Sequence, residues 1–363
     1  MLSPTVSSAL SKTTLAAPHL SHVYLFADDL TGASDAAAAF LSAGHSVRVW
    51  FGSKALHSTA ESVQAFNTNS RSLSPQQAAL AVSRAVAGLQ LNSNAFFFKK
   101  IDSAARGPLG SEVLAAHRLL GTEAILLAPS FPAAGRTVSN GILYIQDAAG
   151  QLTQISLIGL FPPEIRPLIA IIALPDEIVP ALASGKSILV CDALTQTDLE
   201  GLARGSAGLN ILYAGSAGLA KAIASLDPAP LPPQPLPLSE RTLIVAGTQH
   251  LVTRLQLDHL TGENPSAQLL RICWEAGDDA RIRAEFERLD PQALILTGGE
   301  TALAAVRALD AHSSILHGEI APGIPWGILQ GGPADGRVII TKSGGFGSST
   351  TLSDILATLS GQA

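Results

Sequence analysis

Two adjacent carboxylates, then a threonine and a glycine, form the segment Asp28-Asp29-Leu30-Thr31-Gly32. It stands directly after the apolar run 22–27 and before the alanine-rich run Ala33–Ser42. A strand that ends on acids and passes into a helix makes a polar site. The helix N-terminus favours an anion, and a carboxylate beside it can hold a hydroxyl or take its proton. Helix capping is the other reading of the same two acids, and Asp35 reads as a local dipole or packing partner. A second cluster, Lys99-Lys100-Ile101-Asp102-Ser103 with Arg106-Gly107, follows Phe96-Phe97-Phe98. Its cations suit an acidic ligand, and Arg106 can grip a carboxylate through two parallel hydrogen bonds. A solvated loop is the alternative. Asn69-Ser70-Arg71 and the segment Pro129–Thr137, which contains Arg136, supply two more polar strand ends.

Two glycine-rich segments in the last third of the chain carry different chemistry. Gly298-Gly299-Glu300-Thr301 and Lys342-Ser343-Gly344-Gly345-Phe346-Gly347 each follow an apolar run. Free backbone N–H groups at such turns cradle phosphate oxygens. With Gly318–Gly327 between them, they point to a nucleotide pocket. Two other segments imitate known motifs. Gly185-Lys186-Ser187 ends like a phosphate-binding P-loop, but its first glycine is missing and the helix and strand come in the reverse order. Gly215-Ser216-Ala217-Gly218 has the outline of a nucleophile elbow. His250, His259, His312 and His317 follow it, but none lies in a loop that marks a catalytic base, so a serine hydrolase using Ser216 is the least favoured function. Glycine there serves strand–helix packing.

The elements that must position these residues alternate in type. Strands are expected over 22–27, 46–51, 95–100, 124–128, 187–191 and 210–214, interleaved with helices over 33–42, 75–89, 112–120, 197–204 and 219–225. The pattern resumes with strands over 242–246, 267–272, 293–296 and 337–341 and helices over 253–259, 280–288 and 301–309. Such alternation implies an α/β fold of two domains with mostly parallel sheets, in which ligands lie beyond the carboxyl ends of the strands. Six prolines in Asp227–Glu240 form a stiff extended connector. They divide the chain into a domain over 21–226 and another over 241–363, with 1–20 as a flexible tail.

Composition bounds the rest. Of 363 residues, 47% are hydrophobic and 14% charged, enough for large cores. No apolar stretch reaches the ~20 residues of a spanning helix, so no membrane role is expected. The net charge of −6 argues against a nucleic-acid partner. Cys191 and Cys273 form no CxxC, which excludes a disulfide framework or cysteine zinc site. The N-terminal residues lack the charged and apolar regions of a secretory signal, and a cytoplasmic location is expected. Thirty-two glycines against few aromatics imply an aliphatic core and many tight turns.

Taken in order, these motifs resemble the four-carbon acid sugar kinase family of ATP-dependent 3-oxo-tetronate, threonate and erythronate kinases. The resemblance rests on Asp28–Asp35, Lys99–Gly107, Phe131–Thr137 with Asn140-Gly141, Ala214–Leu219, Gly298–Thr301, Gly318–Gly323 and Lys342–Gly347. It implies an N-terminal acid-sugar-binding domain, a C-terminal nucleotide-binding domain and an active site in the cleft between them. ATP would phosphorylate a terminal hydroxyl of a short sugar acid, and a homodimer is admissible. Arg71, Lys100, Ser103, Arg106 and Arg136 would bind the substrate, and Asp102, Asp29 or Asp28 would take the hydroxyl proton. Thr248, His250, Gly298, Gly299, Glu300, Thr301, Gly344 and Gly345 would face ATP, with Mg²⁺ bridging phosphates and Glu300 or an Asp as its protein ligand. The chain departs from the family at Asn69, at Ala104-Ala105 and at Gly247-Thr248-Gln249-His250, where Gly-Ser-x-Ser is usual. A non-catalytic sugar-acid or nucleotide-binding regulator on the same fold is the main alternative.

Overall fold

A computed structural model describes residues 20–52, 59–87, 89, 95–146, 150–229, 231–232 and 234–362. The tail expected over 1–20 therefore lies outside the described residues except for Leu20. Leu20 is buried, and its N–H donates to Asp227 Oδ2 at 2.7 Å.

The first half runs β1 (Val23–Ala27), α1 (Leu30–Ser42), β2 (Val47–Trp50), β3 (Val63–Asn67), α2 (Pro75–Ala87), β4 (Phe96–Lys100), α3 (Leu109–Leu120) and β5 (Ala124–Ala128). A small antiparallel sheet follows, β6 (Arg136–Ser139), β7 (Ile142–Gln146) and β8 (Leu152–Ser156). Then come β9 (Ile169–Ile172), α4 (Ile178–Ala183), β10 (Ile188–Cys191), α5 (Gln196–Gly205), β11 (Ile211–Gly215) and α6 (Ala217–Ala224). The second half holds β12 (Thr242–Ala246), α7 (Leu251–Glu263), β13 (Gln268–Arg271), α8 (Asp278–Leu289), β14 (Ala293–Thr297) and α9 (Gly299–Ala308). It closes with β15 (Ser313–Ala321), β16 (Ile324–Gln330), β17 (Val338–Lys342) and α10 (Thr351–Leu359). Every residue of β1, β5, β11, β12 and β14 is buried, the signature of strands covered on both faces by helices.

The fold is α/β with a mostly parallel sheet, as the alternation predicts, but the two halves share one ladder. Fourteen strands pair in the order β13-β12-β14-β17-β16-β15-β2-β3-β1-β4-β11-β5-β10-β9. The junction is the β15–β16 hairpin, antiparallel within itself, to β17 and to β2. Gly318–Gly327, expected to border the nucleotide pocket and given no strand of its own, spans the end of β15 and the start of β16, although glycine weakens strands. Here glycine permits close packing instead. A Cβ on Gly327 would fall 2.3 Å from the Ile315 carbonyl oxygen, and one on Gly318 would fall 2.4 Å from the Trp326 indole nitrogen. The β6–β7 hairpin carried a readable signal: Asn140-Gly141, both at positive φ (51° and 70°), is the preferred two-residue turn.

The described residues of the proline-rich segment form neither helix nor strand, and the segment is pinned to the α1–β2 turn. Ala229 N–H donates to Ala43 O at 2.7 Å and Leu231 N–H to Gly44 O at 3.1 Å. Gly44 has φ +92°, and a Cβ there would lie 1.8 Å from Ala229 O.

Three antiparallel pairings at the hairpin, β17–β16, β16–β15 and β15–β2, leave the parallel strands of the two halves running in opposite senses along the ladder. Between β1 and β14 the ladder takes six steps. At roughly 20–25° per step the twist amounts to roughly 120–150°. This turns the carboxyl ends of one half toward those of the other and places the loops after β1 and β14 in contact. Among the described residues no helix is long and apolar enough to cross a membrane.

Gly44→Ala should lower stability by about 2–3 kcal/mol through left-handed strain and the clash with Ala229. Urea denaturation checks this, and an unchanged midpoint would contradict the pinned connector.

Candidate active site between two sets of strand tips

The loops after β1, β3 and β4 bring three carboxylates around one guanidinium. Asp28 is buried. Asp29 caps α1: Oδ1 accepts the Gly32 N–H at 2.9 Å and Oδ2 accepts the Thr31 hydroxyl at 2.8 Å. Arg71, from the loop after β3, donates Nε to Asp28 Oδ2 (2.7 Å) and Nη2 to Asp28 Oδ1 (3.0 Å) and Asp29 Oδ1 (2.7 Å). Asp102 Oδ1 lies 3.6 Å from the same nitrogen. Asp102 is itself enclosed, taking Arg106 Nε at 2.8 Å, Nη2 at 2.7 Å and the N–H groups of Ala104 and Arg106 at 3.2 Å. Burial alone would raise the Asp102 carboxyl. The Arg106 hydrogen bonds and the Arg71 charge override it and hold the group well below the usual carboxylate range. Asp28 is likewise held low by Arg71 against the effect of burial.

Strand alternation separates the two lysines. Lys99 points to the α3 face, fully buried, with Nζ donating to Lys100 O at 3.0 Å and lying 3.3 Å from Glu112 Oε2. The Ser70 hydroxyl donates to the other Glu112 oxygen. Lys100 points to the α1 face, where Nζ donates to Ile101 O at 2.9 Å and lies 3.1 Å from where a Gly32 Cβ would sit. Asp35, half-buried one turn into α1, is pushed up to about 6 by burial, with Lys100 opposing and Glu319 and Asp29 assisting. Ser103 is half-buried in the turn after Asp102, and Arg136 stands at the start of β6, where burial lowers its pKa and the charges of Asp102 and Arg106 reach it.

In the second half, the loops after β12, β14 and β17 converge in the same way. His250 caps α7 through Nδ1, which accepts Val252 N–H at 3.2 Å. A Cβ on Gly344 would fall 2.8 Å from Thr248 Oγ1, one on Gly345 3.0 Å from His250 Nε2, and one on Gly298 3.0 Å from Thr248 Cβ. Five of the eight nucleotide-facing residues expected from sequence thus touch. Thr301 is buried behind them, its hydroxyl without a hydrogen-bond partner among the described residues, and Glu300 is exposed. Lys342, which heads the glycine-rich segment in the sequence, was given no role there. It is fully buried, with Nζ donating to the carbonyls of Ser343 (3.0 Å) and Phe346 (3.2 Å). Thr253 Oγ1 donates to Gly344 O (2.7 Å), and Gln256 Nε2 to Phe346 O (2.9 Å) and Ser348 O (2.7 Å). Four loop carbonyls are thereby drawn inward. Burial pulls the Lys342 ammonium down to about 8. The legible signal was a lysine closing the apolar strand Val338–Lys342.

The two sets meet at one point. A Cβ on Gly299 would fall 2.5 Å from Asp29 Oδ2 and 3.1 Å from Thr31 Oγ1. Phe131 and Phe346 face each other across the same gap with ring centroids 6.2 Å apart. Ser216 is elsewhere engaged: buried, it caps α6, accepts Gly218 N–H at 3.0 Å and donates to Ser130 O.

The strand tips thus set a cluster of acids and cations against glycine-lined loops, the arrangement of a two-part α/β site. A sugar-binding N-terminal domain model matches residues 23–173, and a nucleotide-binding C-terminal domain model matches 279–352. The chain belongs to the four-carbon acid sugar kinase family. It is 29% identical to the D-threonate kinase of Bordetella bronchiseptica over 91% of this chain and 96% of that one. It is 25% identical to the 3-oxo-tetronate kinase of Pseudomonas fluorescens over 92% and 96%. Its fold matches Haemophilus influenzae protein HI1011 with a TM-score of 0.69 at 20% identity, covering 93% of this chain and all of that one.

With its pKa raised, Asp35 takes up a proton on folding between about pH 4 and 6, so its favourable contribution is complete below pH 4 and lost as pH rises through 6. Asp35→Asn should therefore stabilise the protein by about 1–3 kcal/mol at pH 7.5 and by nothing at pH 4. Urea midpoints at the two pH values check this.

Proposed function

We propose that this chain transfers the terminal phosphoryl group of ATP to a hydroxyl of a four-carbon sugar acid of the threonate, erythronate or 3-oxo-tetronate type. The carrying observation is the contact between Asp29 Oδ2 and the backbone of Gly299 at the first turn of α9. A hydroxyl held by Asp29 stands beside the end of α9, where N–H groups favour a phosphate. Phosphoryl transfer depends chiefly on such positioning and on neutralising charge.

Asp29 is the base we assign. Asp102 has both oxygens engaged by Arg106 and is held too acidic to accept a proton readily. Asp28 is locked to Arg71 in bidentate fashion. Arg71, expected from sequence to hold the substrate carboxylate, is instead engaged by Asp28 and Asp29, so its role is to align both and to keep Asp28 ionised. That leaves Lys100 and Arg136, with Ser103 and the exposed side of the Arg106 guanidinium that Asp102 does not engage, to hold the acid end of the substrate. As the new O–P bond forms, the hydroxyl proton passes to Asp29, and the bond to the bridging oxygen breaks to release ADP. Among the described residues no three His, Cys, Asp or Glu side chains group as a metal cage. Mg²⁺ would therefore be held mainly by phosphate oxygens, with Glu300 or Asp29 as a protein ligand, and would supply charge neutralisation.

Asp29→Asn should cut kcat for ADP release by about 10²–10⁴. Asparagine caps helices as well as aspartate does, so the melting temperature should hold. Near wild-type turnover on a panel of four-carbon acids would remove Asp29 from the role, and binding without turnover by the native chain would favour a regulator. Gly299→Ala suits the helix itself, but its Cβ lands on Asp29 Oδ2. We expect kcat/KM to fall about tenfold or more at unchanged melting temperature, and full activity would break the link between contact and catalysis.

A further inference from the structure

Of the three tryptophans, Trp50 and Trp326 are buried (0% and 4% exposed), whereas Trp274 is 47% exposed. It lies just beyond β13, the strand beside β12 at the outer edge of the nucleotide-binding half. Its backbone is in the left-handed region (φ +62°), unusual for a bulky residue and a mark of a constrained position. The Asp278 carboxylate holds that turn, accepting the N–H groups of Cys273 at 3.2 Å and Glu275 at 3.0 Å and pairing with Arg281 at 2.7 Å. The indole N–H donates to Gly247 O at 2.9 Å, which fixes the ring.

Gly247 connects this ring to the phosphate cradle. A Cβ there would lie 3.0 Å from Trp274 Cζ2 and 2.9 Å from the unpartnered Thr301 hydroxyl. The next residue, Thr248, borders Gly298 and Gly344. Moving outward from Asp29, the site therefore runs through Gly299, the Thr301–Gly247 contact and then Trp274. Hydroxyls and glycines suit phosphates, whereas a half-exposed aromatic ring clamped at the far end suits a flat heterocycle.

We propose that Trp274 is the platform on which the base of the nucleotide stacks. The proposal rests on the nucleotide-binding reading above and adds to it the residue that recognises the base. Because the other two tryptophans are buried, ADP should quench the exposed indole and shield it from acrylamide. Trp274→Ala should weaken ADP binding about 5–100-fold, the range for loss of one base–aromatic stack. Trp274→Phe should retain most of the affinity, and inorganic tripolyphosphate, which has no base, should bind wild type and Trp274→Ala within twofold of each other. Equal ADP affinity in wild type and Trp274→Ala would overturn the assignment. So would an equal loss of tripolyphosphate affinity, which would mean the ring only supports the loop. If wild type bound neither ADP nor ATP, the nucleotide reading itself would fall, and this with it.

Discussion

Three ionised carboxylates gathered at neighbouring strand tips repel one another by energies comparable to the stability of a domain. At 4 Å, two like charges cost about 4 kcal/mol at an effective dielectric near 20. Arg71 removes that conflict. It comes from the loop after β3, and its partners come from the loops after β1, the adjacent strand, and β4, one strand further along the same ladder. The parallel register of β3, β1 and β4 is what lets one guanidinium reach all three acids. Without it the three carboxylates would face one another uncompensated, and Asp29 would lose the hydrogen bond that aligns it.

The second constraint is steric. Asp29 meets the other half of the molecule at a residue with no side chain, and the loops after β12, β14 and β17 approach one another through Gly298, Gly344 and Gly345. Side chains at these places would hold the strand tips apart. The carbonyls bound by Lys342, Thr253 and Gln256 do the complementary work on the inner side, fixing the loop that glycine leaves free to bend.

Much of this was legible in the sequence because apolar runs ending in polar loops identify strand tips regardless of tertiary detail. The acids at 28, 29 and 102 and the glycines at 298, 299, 344 and 345 all stood out on that ground. Their division of labour did not. Capping and catalysis looked like alternatives for Asp29, yet its two oxygens allow both. Arg71 looked like a ligand for substrate because its acid partners, Asp28, Asp29 and Asp102, are 43, 42 and 31 positions away. Lys99 and Lys100 looked alike, though alternation along Phe96–Lys100 already sends them to opposite faces. The β15–β16 hairpin was missed because its glycines weaken strand propensity while serving close backbone packing, a property of the partner strand and not of the local sequence.

That hairpin leaves the molecule without a seam. Cutting the chain in the proline-rich segment would not yield two self-sufficient pieces, since β2 and β15 would each become a raw edge of unsatisfied N–H and C=O groups, prone to bind other chains. For the same reason the gap between Asp29 and Gly299 is spanned by a continuous run of paired strands, and any change in its width would be felt as a change of twist along β17, β16, β15, β2 and β3.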